Sequence, residues 1–589
     1  MSPDEPLAPE ALFDAAVEHH RARRLDQAEQ LYGAVLAAQP GHVRASHNLG
    51  ALLLQRKDLE RALPLLALAA QADPDGPQSW ITYAHGLIVA GRFDAAQALL
   101  GRHAARAADP PVQALEIRLR QAWGLALLDS DDLAAAKLQF ARVLEIAPEL
   151  AEAHADMGLV RLRLGDAAGA EADLLQALAI SPDDLGALTN LASARSVLGR
   201  HAEAEAGYRD VLARDAGYLP ATRSLGVLLS DVGRYDEALA LLEDVIARQP
   251  ADDPEARYRR STLRLLLCDF AAGWRDWETR WQNEAFLEAS AGVVTPALRA
   301  LLKPDVEAAA LAGRRVLLVA EQGIGDQVMF ASMIPDLAAL AGAVTCVCDA
   351  RLVALFEQSF PGVAFVGPRD ARIGSGAFDV VLAMGSLGRL FRNRLEDFPA
   401  RPYLRPRAAL VDAWRDRLGP LPAAGLRIGV SWRGGTPGTR TADRSIAIDD
   451  LRPVLRLPDS DFVNLQYGDV VDEVEAANAV MDTPIRLFPR ADLDDFEELA
   501  ALLLALDVVV SVQTSVVHLS GAVGAPCLAL IPRKPEWRYT AEQATMPWYA
   551  SVRLFRRREG EDWNPAIERL TQALRDRNPP LASRQSKDS

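Results

Sequence analysis

Small and large apolar residues return in a fixed order along the first 250 positions. Ala28, Ala62, Ala96, Ala136, Ala170, Ala204 and Ala238 are spaced by 34, 34, 40, 34, 34 and 34 residues. Four positions after each stands a large side chain: Tyr32, Leu66, Leu100, Phe140, Leu174, Tyr208 or Leu242. That offset puts both members on one face of a helix. Twelve positions before the later six alanines come Gly50, Ala84, Gly124, Gly158, Ala192 and Gly226, small enough for a second helix to approach closely. The pairs Gly91-Arg92, Gly165-Asp166, Gly199-Arg200 and Gly233-Arg234 supply a residue that tolerates positive φ where the first helix ends. Pro40, Pro74, Pro148, Pro182 and Pro250 close the second helix. The pattern predicts seven stacked helical hairpins over 1–250. The single step of 40 predicts six inserted residues near 103–113, read as a longer loop or as a kink that reshapes the groove.

The period then changes. Residues 251–290 continue as helix, with Trp274, Trp277 and Trp281 on one face, an aromatic stripe expected to cap the solenoid and dock it on the next domain. Residues 291–312 read as an irregular or helical linker. From Arg315 short β-branched runs alternate with amphipathic helices: 316–320, 344–348, 363–366, 379–384, then 427–432, 462–467, 507–512 and 527–531. Buried runs of this length between helices predict parallel sheets covered on both faces. A polar, Pro-rich stretch around 400–425 divides them. The expectation is two Rossmann-like halves, 313–420 and 421–578, with a ligand cleft at the C-terminal strand ends. The bridge spans 251–312, and 579–589 is expected to be a disordered tail.

Repeats of the first kind resemble the tetratricopeptide-repeat family, whose solenoids present a concave surface to protein partners. Eight of the nine histidines fall here, without metal-ligand spacing. The formal charge of −16 argues against a generic nucleic-acid binder, although a local basic site for a phosphate ligand is compatible with it. Four cysteines cannot build a disulfide framework across 589 residues. Cys346 and Cys348 are expected on opposite faces of one strand, as reduced core residues. With no apolar run of the ~18 residues a membrane span needs, and no signal-like start, a cytoplasmic protein is expected.

Candidate chemistry sits at the strand ends. Glu321-Gln322-Gly323-Ile324-Gly325-Asp326 is a glycine-bearing loop entering a helix, where backbone N–H groups can meet an anion. Its G-x-G is not completed as a dinucleotide fingerprint. Asp326 either caps the helix or takes a proton from an acceptor hydroxyl. Arg433-Gly434-Gly435, and the loop through Arg440 and Arg444, combine guanidinium groups with glycines, which suits phosphate or carboxylate. The next strand ends in Gln466. A later one runs into Gln513-Thr514-Ser515, with His518 one turn into the helix.

The segments AEQGIGDQVMFASMIPDL, IGVSWRGG, VVVSVQTSVVHLSGAVGAP and PEWRY…MPWYASVRLFR resemble the transferase domain of bacterial tetratricopeptide-repeat–glycosyltransferase fusions. That domain is similar to the heptosyltransferases. The preceding LCDFAAGWRDWETRW resembles the bridge usual in those fusions. The resemblance implies a multidomain chain: an all-α solenoid followed by an α/β glycosyltransferase of the two-domain GT-B type, active without a metal or other cofactor. Asp326 matches the aspartate proposed as general base. Gly323, Gly325, Trp432, Arg433, Gly434, Arg444, Gln466, Gln513, Thr514, Ser515 and His518 fall on the donor side. The flagellin-modifying members are the most similar, which implies flagellin as protein partner and transfer of a nonulosonic acid from a CMP-sugar to Ser or Thr. Two departures stand out. Gln513 replaces the usual Asp, and Arg433 adds a guanidinium that would suit a carboxylate-bearing donor. The alternatives are a binding or assembly protein with a decayed transferase domain, and a heptosyltransferase-like enzyme acting on lipid or polysaccharide.

Overall fold

The computed structural model describes residues 8–249, 253–374, 378–420, 425–435, 441–558 and 560–576. Pro250, Arg440 and the tail expected at 579–589 lie outside the described residues. Two compact units divide the chain, Met1–Ser224 and Leu225–Ser589.

Six antiparallel helical hairpins make up the first unit, from Pro9–Arg21 with Leu25–Ala38 to Leu185–Val197 with His201–Arg214. The periodic alanines Ala28 through Ala204 are fully buried. The small residue twelve places earlier meets the large one four places later. A Cβ on Gly50 would lie 2.7 Å from Leu66, one on Gly124 2.7 Å from Phe140, and one on Gly158 2.6 Å from Leu174. Each repeat is thus held by a small–large contact between its own two helices. At the hairpin turns Gly91, Gly165 and Gly199 have positive φ, and so do Arg23, Lys57 and Asp131 at the equivalent places. The geometry persists where glycine is absent. The inserted residues are not simply loop. They form a 3-10 turn, Ala104–Arg106, and extend the next helix to Pro110–Asp129. His103 stacks on Trp80 with ring centroids 4.1 Å apart.

The boundary falls inside the first helix of the seventh hairpin, Leu219–Asp231 with Tyr235–Arg248, and an eighth follows, Pro254–Leu266 with Phe270–Trp277. The stretch expected as a bridge keeps the repeat's logic. Gly273 stands at the small position, Trp277 four residues on, and Ser261 twelve before, its hydroxyl donating to the Gly273 carbonyl at 2.9 Å. Cys268 takes the positive φ of the turn. Trp274 and Trp277 are fully buried. Trp274 Nε1 donates to the Arg392 carbonyl at 2.7 Å, and both indoles pack edge-on against Trp537. The Arg533 guanidinium donates to the Val232 carbonyl at 3.1 Å, and Lys534 pairs with Asp231. These contacts explain why the units divide inside the seventh hairpin, before the sequence boundary at 250.

Four strands form a parallel sheet in the order β3-β2-β1-β4: β1 Arg315–Val319, β2 Ala343–Val347, β3 Ala364–Val366 and β4 Val380–Ala383. A second sheet holds β5 Arg427–Ser431, β6 Asp461–Asn464, β7 Ile485–Arg486, β8 Val508–Val512, β9 Cys527–Ile531, β10 Thr545–Met546 and β11 Tyr549–Arg556. Its order is β10-β11-β9-β8-β5-β6-β7, and the β10–β11 pair alone is antiparallel. β5, β8 and β9 are buried at every position, as continuous apolar runs in a sheet covered on both faces must be. Cys346 and Cys348 are buried, but they share a side of the strand, because residues two apart point the same way. Burial, then the neighbouring Cys348 thiol, pushes the Cys346 thiol well above its ordinary range.

Candidate active site

Strand order reverses at β1 in the first sheet and between β5 and β8 in the second, and ligands of open parallel sheets bind beyond such switch points. The chain leaving β1 runs through Glu321 and Gln322 into the helix Ile324–Phe330, with Asp326 in its first turn. The chain leaving β8 runs through Gln513 and Thr514 into Ser515–Val523. Thr514 Oγ1 caps that helix by accepting from Val516 N–H at 3.2 Å. The two helices touch where Gly325 has no side chain: a Cβ there would lie 3.1 Å from His518 and 3.5 Å from the Ser515 backbone.

Between these strand ends lies a cavity of about 440 Å³. Gly323, Gly325, Asp326, Arg444, Gln513, Thr514, Ser515 and His518 line it, so eight sequence-selected residues from separate segments of the chain meet there. Arg444 donates to the Gln513 carbonyl at 2.9 Å. Tyr467 reaches over the mouth, its hydroxyl donating to the Gly435 carbonyl at 2.8 Å. The Gln513 side chain is fully buried, and neither its oxygen nor its nitrogen has a hydrogen-bond partner. An amide in that state carries an unmet desolvation cost, which a ligand offering both a donor and an acceptor would offset.

The residue that pairs with Asp326 was not among the sequence candidates. Arg538, in the turn Trp537–Tyr539, pairs with Asp326 and donates to Gln322 Oε1 at 3.0 Å. Its only sequence signal was the PEWRY segment. Burial raises the Asp326 pKa and the Arg538 cation opposes that rise, leaving a carboxylate more basic than a solvated one. His518 sits between two tyrosines, with Nδ1 3.2 Å from Tyr549 Oη and Nε2 3.4 Å from Tyr539 Oη. Burial, then the Arg538 and Arg444 charges, push its pKa down to about 3. It is a neutral hydrogen-bonding imidazole across the physiological range.

Four selected residues do not line the cavity. Trp432 is fully buried in the core, its Nε1 donating to Glu473 at 2.9 Å. Arg433 pairs with the same glutamate at 3.0 Å. Gln466 Oε1 accepts from Ser431 Oγ, Trp432 N–H and Arg433 N–H at 3.1, 2.9 and 2.7 Å, so it ties the ends of β5 and β6 together. Gly434 packs on the Gln513 carbonyl, where a Cβ would come within 2.7 Å. These residues shape the site from behind. A guanidinium for an anionic ligand is therefore offered by Arg444 and Arg538, not by Arg433. Among the described residues no group of three or more His, Cys, Asp or Glu could hold a metal ion, and no helix is long and apolar enough to cross a membrane.

Residues 53–119 and 198–261 match one family model described as tetratricopeptide repeat, and residues 6–77 and 122–184 match a second with the same description. The chain is 32% identical to Protein FlbA of Caulobacter vibrioides over 350 residues, a stretch covering 56% of this chain and 56% of that relative. Two solved structures are similar to the helical part. A tetratricopeptide repeat protein from Parabacteroides merdae is 15% identical, covering 42% of this chain and 94% of that one, with a TM-score of 0.31. The C-terminal part of a repeat-containing protein from Cytophaga hutchinsonii is 11% identical, covering 41% and 96%, with a TM-score of 0.33. At these scores the structural likeness carries no weight. The repeat register, its buried small–large contacts and the two family models together identify the N-terminal helical region as a tetratricopeptide-repeat solenoid.

Proposed function

We propose that the chain is a protein O-glycosyltransferase of the GT-B type, moving a nonulosonic acid from a CMP-sugar to Ser or Thr of flagellin held by the repeats. The observation that carries this reading is the cavity at both switch points, which joins a buried, basic carboxylate to two guanidinium groups. The acceptor hydroxyl oxygen bonds to the anomeric carbon, the bond from that carbon to the CMP phosphate oxygen breaks, and Asp326 takes the hydroxyl proton. Arg444 and Arg538, which line the cavity, would supply countercharge to leaving-group phosphate and sugar carboxylate. The Thr514–Ser515 helix start would hydrogen-bond donor oxygens, and neutral His518, whose two ring nitrogens face Tyr549 and Tyr539, would hold that wall in position.

Gln513 and the Asp326–Arg538 pair favour one other reading, a flagellin-binding protein without transfer. Intact-mass spectrometry of flagellin from cells making the wild type or Asp326→Asn separates the two. Transfer requires a mass increase with the wild type that the variant loses by about 10²–10⁴-fold in rate while flagellin binding is kept. Flagellin bound at unchanged mass by both proteins refutes the enzyme reading.

A further inference from the structure

A second cavity, of about 200 Å³, shares a wall with the first. Gln322, Glu536 and Arg538 line both, so one layer of side chains separates it from Asp326. Its far side is built from the last two hairpins. Ser230 and Tyr235 come from the seventh, and Tyr258, Thr262 and Leu263 from the eighth. We propose that this cavity is the acceptor subsite, holding an extended, uncharged peptide segment beside the Ser or Thr to be modified. The inference rests on the transferase reading and locates its acceptor side.

Three features carry it. The first is direction. In a displacement the entering and leaving oxygens lie on opposite sides of the anomeric carbon, and reacting groups must be held in line. Gly435, Arg444, Tyr467, Gln513, Thr514 and Ser515 bound the first cavity on the side of the second sheet. Arg538, which pairs with Asp326, and Gln322, which Arg538 holds, line the second cavity as well. The second feature is chemistry. Asp231 pairs with Lys534, Arg259 with Glu255, and Glu536 lies 3.7 Å from Arg538. Each charge faces an opposite one, and the rest of the wall is uncharged, from Val227, Leu242 and Trp537 to Ser230, Thr262 and Gln322, which suits a neutral peptide better than a phosphate. The third is the partition. Gln322 has φ of +60°, rare for a residue with a side chain, and it is held there by Ser290 Oγ on its N–H at 3.2 Å and by Arg538 on its Oε1. Strain of this kind is retained where the surroundings over-determine a functional position.

Ala541 N–H donates to the carbonyl of the lining residue Leu266 at 2.9 Å, which ties the eighth hairpin to the segment after Tyr539. The test fills it. Ser230→Trp and Thr262→Trp are compared with wild type for mass added to flagellin from cells that make this protein, and for CMP affinity by calorimetry. The expected result is transfer reduced by about 100-fold, the scale of a misplaced acceptor, with CMP affinity unchanged. A photo-cross-linking residue at position 230 should capture the flagellin peptide that carries the modified Ser or Thr, which keeps the test open if a Trp variant misfolds. Wild-type transfer by both Trp variants, or cross-links confined to other peptides, overturns the subsite and leaves the transferase reading standing. A wild-type protein that adds no mass overturns both.

Discussion

Arg280 and Glu321 form the buried ion pair beneath the loop that carries Asp326, and replacing Arg280 should be far more costly than replacing Glu321. Both side chains are fully buried. Arg280 Nε and Nη2 donate to the two Glu321 oxygens at 3.1 and 3.0 Å, Nη2 also to Ser386 Oγ at 3.0 Å, and Nη1 to the Trp277 carbonyl at 3.0 Å. A second carboxylate, Glu278, lies 3.1 Å from Nη1. One cation therefore serves two acids. Arg280→Met leaves both without a countercharge, and removing one partner of a buried pair costs about 3–5 kcal/mol. Glu321→Gln keeps the shape and one acceptor, and leaves Arg280 its contact with Glu278. Its cost should be that of one charge-assisted hydrogen bond, about 1.5–3 kcal/mol. Guanidinium unfolding followed by tryptophan fluorescence reads the difference, because the Trp277 and Trp281 rings face the Arg280 guanidinium. The pH dependence adds a sign. Burial raises the Glu321 pKa and Arg280 opposes it. Without the arginine the folded carboxyl stays protonated to higher pH, so this group's contribution is full in acid and falls as pH rises through its folded pKa. The Arg280→Met deficit should thus be smaller at pH 5 than at pH 8. An Arg280→Met protein no less stable than Glu321→Gln, or a deficit that shrinks with rising pH, refutes the reasoning.

Gln513→Asp places a carboxylate where the buried amide now lacks partners, and should weaken calorimetric binding of CMP-N-acetylneuraminic acid by about tenfold, ~1.4 kcal/mol; tighter binding would contradict the neutral-amide account. In the solenoid, burial, then Glu152 and Asp184, raise Asp156 to about 6. Stability from this group is full below its unfolded pKa and is lost as pH rises through about 6. Asp156→Asn should accordingly stabilise the solenoid by about 1–2 kcal/mol at pH 8, after allowance for solvent screening, and leave it unchanged at pH 4 in thermal melts. His518 has the opposite sign. Its folded pKa of about 3 lies below the unfolded 6.5, so stability is full above pH 6.5 and is lost progressively as pH falls toward 3. His518→Gln should flatten that acid limb, by about 1.4 kcal/mol for each unit below 6.5, and an unchanged pH profile would contradict a neutral buried imidazole.

Where chemistry is local in sequence, the chain alone determined the outcome. Each small–large contact of the solenoid spans sixteen residues, so Gly124 and Phe140 could be matched by counting. The continuous apolar runs of β1, β5, β8 and β9 could only be buried strands. Asp326, Gln513 and His518 were legible because parallel sheets expose function at their C-terminal ends. The eighth hairpin was read as a bridge because its step is 35 residues and tryptophan replaces leucine. β7 and β10 are two residues long, too short for any periodic signal. Tertiary structure decided which polar residues face the cavity. Trp432, Arg433 and Gln466 sit beside glycines at strand ends, like the lining residues, yet Glu473 and the β5 and β6 termini consume their hydrogen bonds. Arg538 is 212 residues from Asp326, and its role comes from the fold that brings a turn of the second sheet's half against the loop after β1. A pattern along the chain records what a residue buries and where it repeats. Which buried polar group is left unsatisfied, as Gln513 is, depends on every neighbour at once.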